Sequence, residues 1–263
     1  MTKQFTQWLA ETTRATFFCT VIGRPDVRQW WAEVAGRTND NLLVTEGPPG
    51  HASAQGEIED GQLQLHLVCQ PSRVDWLFSR VVSGFGTGST AGGGTRLFEG
   101  SQPVPDSISA LHAAVSTWIP KAPPSIRLAV GCTAHIPVSN REEGYLLLQN
   151  YLPDLRIDAI GSSDLSYQIN RPRSSKILND TSSVNRLSQW AVTAINIQAV
   201  QMGVVQTPQL MKLIATSGLY CRATVDVSTA AERSEIIEIE KLSSLFKELC
   251  DLAIELYERG DTP

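Results

Sequence analysis

The chain has 263 residues, of which 42% are hydrophobic and 19% are charged, a composition typical of a globular protein with a buried core. No stretch approaches the roughly 20 apolar residues of a membrane-spanning helix, and the N-terminus lacks the apolar segment of a secretory signal, so we expect no membrane association. The net charge of −5 arises entirely from residues 229–263, which hold nine Asp or Glu against four Lys or Arg. The remaining residues are balanced at 18 against 18, so no overall positive field attracts nucleic acid.

The cysteines are few, widely spaced and odd in number. This pattern favours free, buried thiols in a reducing compartment over a disulfide framework. We therefore expect a cytoplasmic protein. The five are Cys19, Cys69, Cys132, Cys221 and Cys250.

The first half alternates strand-like runs with helical ones. Asp60-Gly61 separates two strand-like runs and predicts a hairpin turn. Glycines interleaved with Ser and Thr over 83–105 predict a mobile loop. The predicted elements are strands at 17–22, 42–45, 56–59, 63–68 and 74–82, helices at 25–34 (Pro25 in its first turn) and 106–119, and a long strand over 126–138.

The second half ends in a strongly amphipathic helix. Thr229-Ala230-Ala231-Glu232 has the form of a capping box and predicts the start of that helix. Before it we predict helices at 141–151 and 208–214 and strands at 156–160, 165–170, 190–200 and 219–227. The predicted buried face consists of Leu242, Leu245, Phe246, Leu249, Leu252, Ala253 and Leu256.

The second half also shows a weak sequence similarity to the first. An apolar strand carries Gln-x-x-Arg at Gln70 and again at Gln168, and a similar order of elements follows each. We therefore predict an α+β protein of two similar modules, 1–138 and 139–263, each an antiparallel sheet with packed helices. The two sheets are either separate or joined into one continuous sheet.

Three segments resemble a bacterial protein family that is sporadically distributed and of unknown function. They are the strand Tyr167–Arg171, the strand Ile126–Leu128, and the strand Thr224–Val227 with the long helix after it. The resemblance implies a patchy bacterial occurrence, as expected of genes carried on mobile or defence islands. It transfers no catalytic residue to this chain.

Patterns that could hold a cofactor or a metal have simpler structural explanations. Gly86–Ala91 fits G-x-G-x-x-A, but further glycines follow and no helix begins, which favours a flexible loop. Cys132 and His135 stand three apart in a strand, where they face opposite sides and cannot easily share an ion. We therefore predict neither a cofactor nor a metal.

Carboxylates cluster around one predicted strand of the second half. Asp154, Asp158 and Asp164 would suit a magnesium-dependent nuclease, but the following strand lacks the Glu-x-Lys pair that such enzymes use. Aspartates that form turns are the simpler explanation. No serine stands in G-x-S-x-G either, so we expect a protein that is not an enzyme.

One local concentration of positive charge follows the second Gln-x-x-Arg strand. If the protein binds nucleic acid, Arg171, Arg173, Lys176 and Arg186 are the candidates for phosphate contacts, and Tyr167 is the candidate for base stacking. Two other interpretations stay open. The segment is a solvated loop, or Arg171 belongs to the sheet edge and pairs with a nearby carboxylate.

The favoured function is binding, as a non-enzymatic accessory or sensing subunit of a bacterial system. We expect a protein partner and no membrane, with self-association into a homo-oligomer also open. The first alternative is a nucleic-acid-binding or nucleic-acid-processing protein that uses the basic segment 171–186. A third interpretation is a ligand-binding protein with the glycine-rich loop as its lid.

Overall fold

The computed structural model describes residues 7–58, 63–80, 101–178, 183–201 and 212–262. The predicted Asp60-Gly61 turn, the Gly86–Ala91 motif and most of the glycine-rich segment lie outside these residues. Among the residues described, no helix is long and apolar enough to cross a membrane.

Within these ranges the chain forms ten strands and four α-helices. The strands are β1 Leu9–Cys19, β2 Leu43–Glu46, β3 Ala52–Ile58, β4 Leu63–Gln70, β5 Arg73–Arg80, β6 Ser125–Val138, β7 Ser166–Asn170, β8 Arg173–Ser174, β9 Ser183–Gln201 and β10 Lys212–Thr229. The helices are α1 Val27–Ala35, α2 Val104–Ser116, α3 Arg141–Gln149 and α4 Ile239–Arg259, with a 3₁₀ turn at Ile119–Lys121.

All ten strands belong to one antiparallel sheet. Its order is β2-β3-β4-β5-β1-β6-β10-β9-β7, and β8 pairs with β9 beyond the end of β7. The alternation of Leu63, Leu65 and Leu67 with polar residues is reproduced as alternating burial along β4. The predicted α+β class is confirmed, and the sheet is continuous.

The internal duplication is not confirmed. The first half contributes β2-β3-β4-β5-β1-β6 to the sheet order, whereas the second half contributes β10-β9-β7 and the short β8. Gln70 is the last residue of β4 and stands opposite Arg73, whereas Gln168 lies in the middle of β7 opposite Gln189. The two halves meet at β6, which pairs with β1 on one side and β10 on the other.

The helices cover one face of the sheet. Phe17 on β1 points to this face, where its ring contacts Trp118 and Phe246. Leu245, Phe246 and Leu249 on α4 are fully buried there, as the amphipathic pattern predicts. Burying each such side chain contributes about 1.5–3 kcal/mol, so α4 is a principal source of the fold's stability.

The predicted capping box at Thr229 is wrong. Thr229 is the last residue of β10, and its hydroxyl accepts a hydrogen bond from the Leu128 amide at 3.1 Å. The helix begins ten residues later, at Ile239. A Ser/Thr-x-x-Glu pattern fits a strand end as well when the hydroxyl finds a partner on the neighbouring strand.

Three other predictions change at the level of single elements. Residues 156–160 form no strand and end in a turn, in which the Asp158 carboxylate accepts hydrogen bonds from the amides of Ile160 and Gly161. Residues 212–214 belong to β10 and not to a helix, whereas 208–211 lie outside the described residues. Asp26 caps α1 by accepting from the Gln29 amide, so Pro25 precedes the cap.

Candidate functional site

The basic segment begins on β7, at one end of the sheet. Tyr167 and Ile169 are half-buried, and Tyr167 packs against the core, whereas Ser166, Gln168 and Asn170 are exposed. This alternation follows from the two-residue period of a strand. Tyr167 therefore offers only part of its ring to a ligand.

Arg171 lies between two carboxylates. Its Nε donates to both carboxylate oxygens of Asp261, at 2.9 and 3.0 Å, and its Nη2 donates to Asp154 at 3.0 Å. The hydrogen bond with Asp261 is the main reason that the pKa of Arg171 is raised. Arg171 thus pairs with nearby carboxylates, as one of the alternative interpretations predicts.

Arg173 and Arg186 share a carboxylate on α4. The Nη1 of Arg173 donates to the two oxygens of Glu255 at 3.0 and 3.3 Å, and the Nη2 of Arg186 lies 3.7 Å from the same side chain. Arg186 is fully buried, as are three neighbours on the same face of β9, Val184, Ser188 and Trp190. Burial and then the neighbouring Arg173 lower the pKa of Arg186.

The next residues of the segment are bound to α4 as well. The Ser175 hydroxyl and the Lys176 amide both donate to Glu248, each at 2.7 Å. The residue Lys176 is itself exposed. Of the four predicted basic residues, the three arginines thus lie against carboxylates of the same chain.

The residues that sequence reasoning missed are the carboxylates. Glu248 and Glu255 stand seven residues apart, which places them on one face of a helix, and Asp261 follows two residues after the helix ends. The acidic balance of residues 229–263 was the available signal. Opposite charge in a basic strand segment and an acidic helix indicates that the two pack together.

The thiols are unsuited to nucleophilic chemistry. All five cysteines are free and buried, as predicted. Burial raises the pKa of Cys69, Cys132 and Cys221 to about 12. Cys19 and Cys250 shift in the same direction for the same reason. The reactive form of a thiol is the thiolate, so at neutral pH these side chains remain unreactive.

The other candidate side chains do not converge. Cys132 faces α4, whose Tyr257 donates a hydrogen bond to the Cys132 carbonyl at 2.7 Å, and His135 is on the opposite face, against Tyr220. Asp154 is bound to Arg171, and Asp164 has a left-handed backbone with φ of 58°. Within the described ranges, no group of three or more His, Cys, Asp or Glu could hold a metal ion.

The face of the sheet that none of the described helices covers, which we call the open face, carries paired charges. Arg14 on β1 donates to Asp226 on β10 at 2.7 Å. Arg222 on β10 forms two hydrogen bonds with Glu11 on β1, at 3.2 and 3.3 Å. The open face is therefore polar and locally close to neutral.

Two clefts open near β2, with volumes of about 550 and about 540 Å³. Each cleft mixes acidic and basic side chains, so neither selects a ligand by charge. The charged residues of the first are Arg37, Asp40 and Glu57, and those of the second are Arg24, Asp26, Arg28 and Glu46.

Comparisons with protein-family models, with curated proteins and with solved structures find no match to this chain. The resemblance to a sporadic bacterial family therefore stays a prediction.

Proposed function

We propose that this protein is a non-enzymatic binding subunit of a bacterial system, such as those carried on mobile or defence islands, and that its ligand is another protein. A cytoplasmic location is part of this proposal and is supported by the five free thiols. The observation that carries the proposal is the open face of the sheet.

The charges on the open face favour a protein over a nucleic acid. Binding to nucleic acid needs cations that are free to replace counterions on phosphates. Arg14 and Arg222 are instead paired with Asp226 and Glu11 on the same face. Protein interfaces, in contrast, are about as polar as the rest of a protein surface and accept a balanced set of charges.

The same contacts hold the side chains of the open face in place. Arg14 and Asp226 link β1 to β10 across β6, and the hydroxyls of Thr133 and Thr224 lie 3.5 Å apart between β6 and β10. A surface whose side chains are already held in place loses less entropy when a partner binds.

Thr224 is the position at which to test the proposal. It is exposed on the open face, between Arg222 and Asp226 on β10, whereas Ser244 is exposed on α4 on the other side of the molecule. Thr224→Arg and Ser244→Arg add the same side chain and the same charge. They are therefore matched variants.

The experiment measures binding to the products of the genes that flank its own. We expect one such product to copurify with the tagged protein and to lose at least about tenfold in affinity with Thr224→Arg but not with Ser244→Arg. If no flanking product binds, or if both variants bind equally well, the proposal fails.

The nucleic-acid alternative is tested separately, by gel shift with single- and double-stranded DNA and RNA at low salt. A shift at micromolar protein that Lys176→Ala weakens would favour this alternative over the protein partner. Lys176 is chosen because it is the exposed residue of the predicted basic set.

A further inference from the structure

The outer edge of β7 offers backbone groups with which no strand among the described residues pairs. Arg171 follows β7 directly, and its amide donates to the Arg186 carbonyl on β9 at 3.2 Å. The backbone N–H and C=O groups of successive residues in a strand point to opposite sides. The backbone groups of Tyr167 and Ile169 therefore also point to β9, whereas those of Ser166, Gln168 and Asn170 point away from it. Among the described residues, no strand pairs with that outer edge, because β7 is last in the sheet order.

The residues of β7 carry no charge that would hinder the pairing of another strand with this edge. Ser166–Asn170 contains no charged residue, although charged side chains are a usual protection against edge-to-edge pairing. The opposite edge, β2, is four residues long, ends in Glu46 and is followed by Pro48 and Pro49. Of the two edges, β7 is therefore the better suited to accept a further strand.

We propose that β7 pairs antiparallel with β7 of a second copy of this chain, about a two-fold axis at Gln168. In this register Gln168 stands opposite Gln168 of the other copy, and Ser166 stands opposite Asn170. The three outward residues of each copy then exchange about six backbone hydrogen bonds. No like charges meet, so the pairing avoids the repulsion that usually prevents such contacts.

The side chains around β7 are compatible with this pairing. The Asn170 amide group is held over its own sheet, since Nδ2 donates to Asn185 and Oδ1 accepts from the Arg186 amide, each at 2.9 Å. It therefore does not obstruct the edge. Pro172 then interrupts the edge and limits the pairing to the five residues of β7.

Apolar side chains flank the entry to β7. Ile160, in the preceding loop, is 85% exposed, and Leu146 on α3 is 53% exposed. The hydroxyl of Tyr145 accepts a hydrogen bond from the Leu165 amide at 3.3 Å, which holds α3 beside the start of the strand. In the two-fold arrangement the entry of one β7 meets the exit of the other. Ile160 and Leu146 therefore add apolar contact at the rim of the interface.

The test is the molar mass in solution, where one chain has a mass of 28.7 kDa. We expect light scattering to give twice that mass at micromolar concentration. Gln168→Pro removes an outward N–H and leaves in place the N–H groups that pair with β9, so it should yield a monomer whose circular dichroism spectrum matches that of wild type. Gln168→Thr keeps the N–H and should remain a dimer.

Charged variants at Gln168 provide a second test, which still applies if the proline variant misfolds. Gln168→Lys and Gln168→Glu each place like charges opposite one another and should be monomeric. A mixture of the two should restore dimers, because opposite charges then meet. Thr45→Lys on the β2 edge should leave the dimer unchanged.

A monomeric wild-type protein, or a dimer that persists in Gln168→Pro and in both charged variants, would overturn the inference. Neither result affects the proposed function, because Thr224 lies on the open face and not on the edge.

Discussion

Arg14 and Asp226 bind each other across a strand that contains neither of them. Arg14 is on β1 and Asp226 is on β10, and both stand opposite Gly131 on β6. The 2.7 Å contact passes over this glycine, where an added Cβ would lie 3.3 Å from the Arg14 Nη2. Because Gly131 has no side chain, the guanidinium lies close over β6 at this point.

A double-mutant cycle measures this arrangement. Arg14→Ala and Asp226→Ala should show a coupling of about 0.5 kcal/mol in the free energy of unfolding, because the pair is partly exposed. The coupling should fall at high salt. With Gly131→Leu it should vanish, because the leucine side chain fills the path between the two groups. A coupling that survives Gly131→Leu would contradict this interpretation.

The contact between Arg171 and Asp261 should be much stronger than that between Arg171 and Asp154. The side chain of Asp261 is 2% exposed, whereas that of Asp154 is 60% exposed. Arg171→Ala leaves the buried Asp261 carboxylate without its partner and should cost about 2–3 kcal/mol in urea unfolding. Asp154→Ala should cost less than about 0.5 kcal/mol, as for other exposed pairs. Equal losses in the two variants would show that burial does not determine the strength of these contacts.

The pairs at Arg171 and Arg173 also show the limit of reading a site from sequence. The segment 171–186 is basic on its own, and its composition alone suggests that these charges are free to bind a ligand. Their partners Glu255 and Asp261 lie more than 80 residues further along the chain. A local pattern contains no information on such contacts. The acidic balance of residues 229–263 gave only an indirect signal.

The fold was predictable where local pattern dominates. Alternation predicted β4, and helical spacing predicted the buried face of α4. The sheet order was not predictable, because nothing in β6 indicates that it pairs with β1 and with β10. The predicted start of the C-terminal helix was wrong because the Thr229 hydroxyl accepts a hydrogen bond from the distant Leu128 amide and does not cap a helix.

Gly260 should tolerate no side chain. Its φ is +76°, and an added Cβ would lie 2.1 Å from the Tyr151 carbonyl oxygen. The same oxygen accepts a hydrogen bond from the Asp261 amide at 2.8 Å, so the strain also disturbs the carboxylate that binds Arg171. Gly260→Ala should lower the free energy of unfolding by at least about 2 kcal/mol.

Gly23→Ala is the matched control for Gly260→Ala, because nothing lies within 4 Å of the position of its Cβ. Its effect should stay within about 0.5 kcal/mol of wild type. A similar midpoint of urea unfolding for the two variants would show that the end of α4 rearranges freely.

The buried His135 should make stability depend on pH. The residue is 1% exposed and stands opposite Arg222 on β10. Burial first, and then the Arg222 charge, lower the pKa of His135 to about 4. The unfolded chain, with an ordinary histidine pKa of about 6.5, binds the proton more readily. Stability from this group is therefore complete above pH ~6.5 and is lost as the pH falls towards 4, by roughly 3 kcal/mol.

His135→Gln isolates this contribution, because glutamine does not titrate and all other groups are retained. Between pH 7 and pH 4, the wild type should lose roughly 3 kcal/mol more of its unfolding free energy than His135→Gln does. Arg222→Gln should reduce this change by the smaller part, because burial is the larger cause of the shift. If wild type and His135→Gln lose stability in parallel as the pH falls, then His135 takes up its proton in the folded protein as easily as in the unfolded chain.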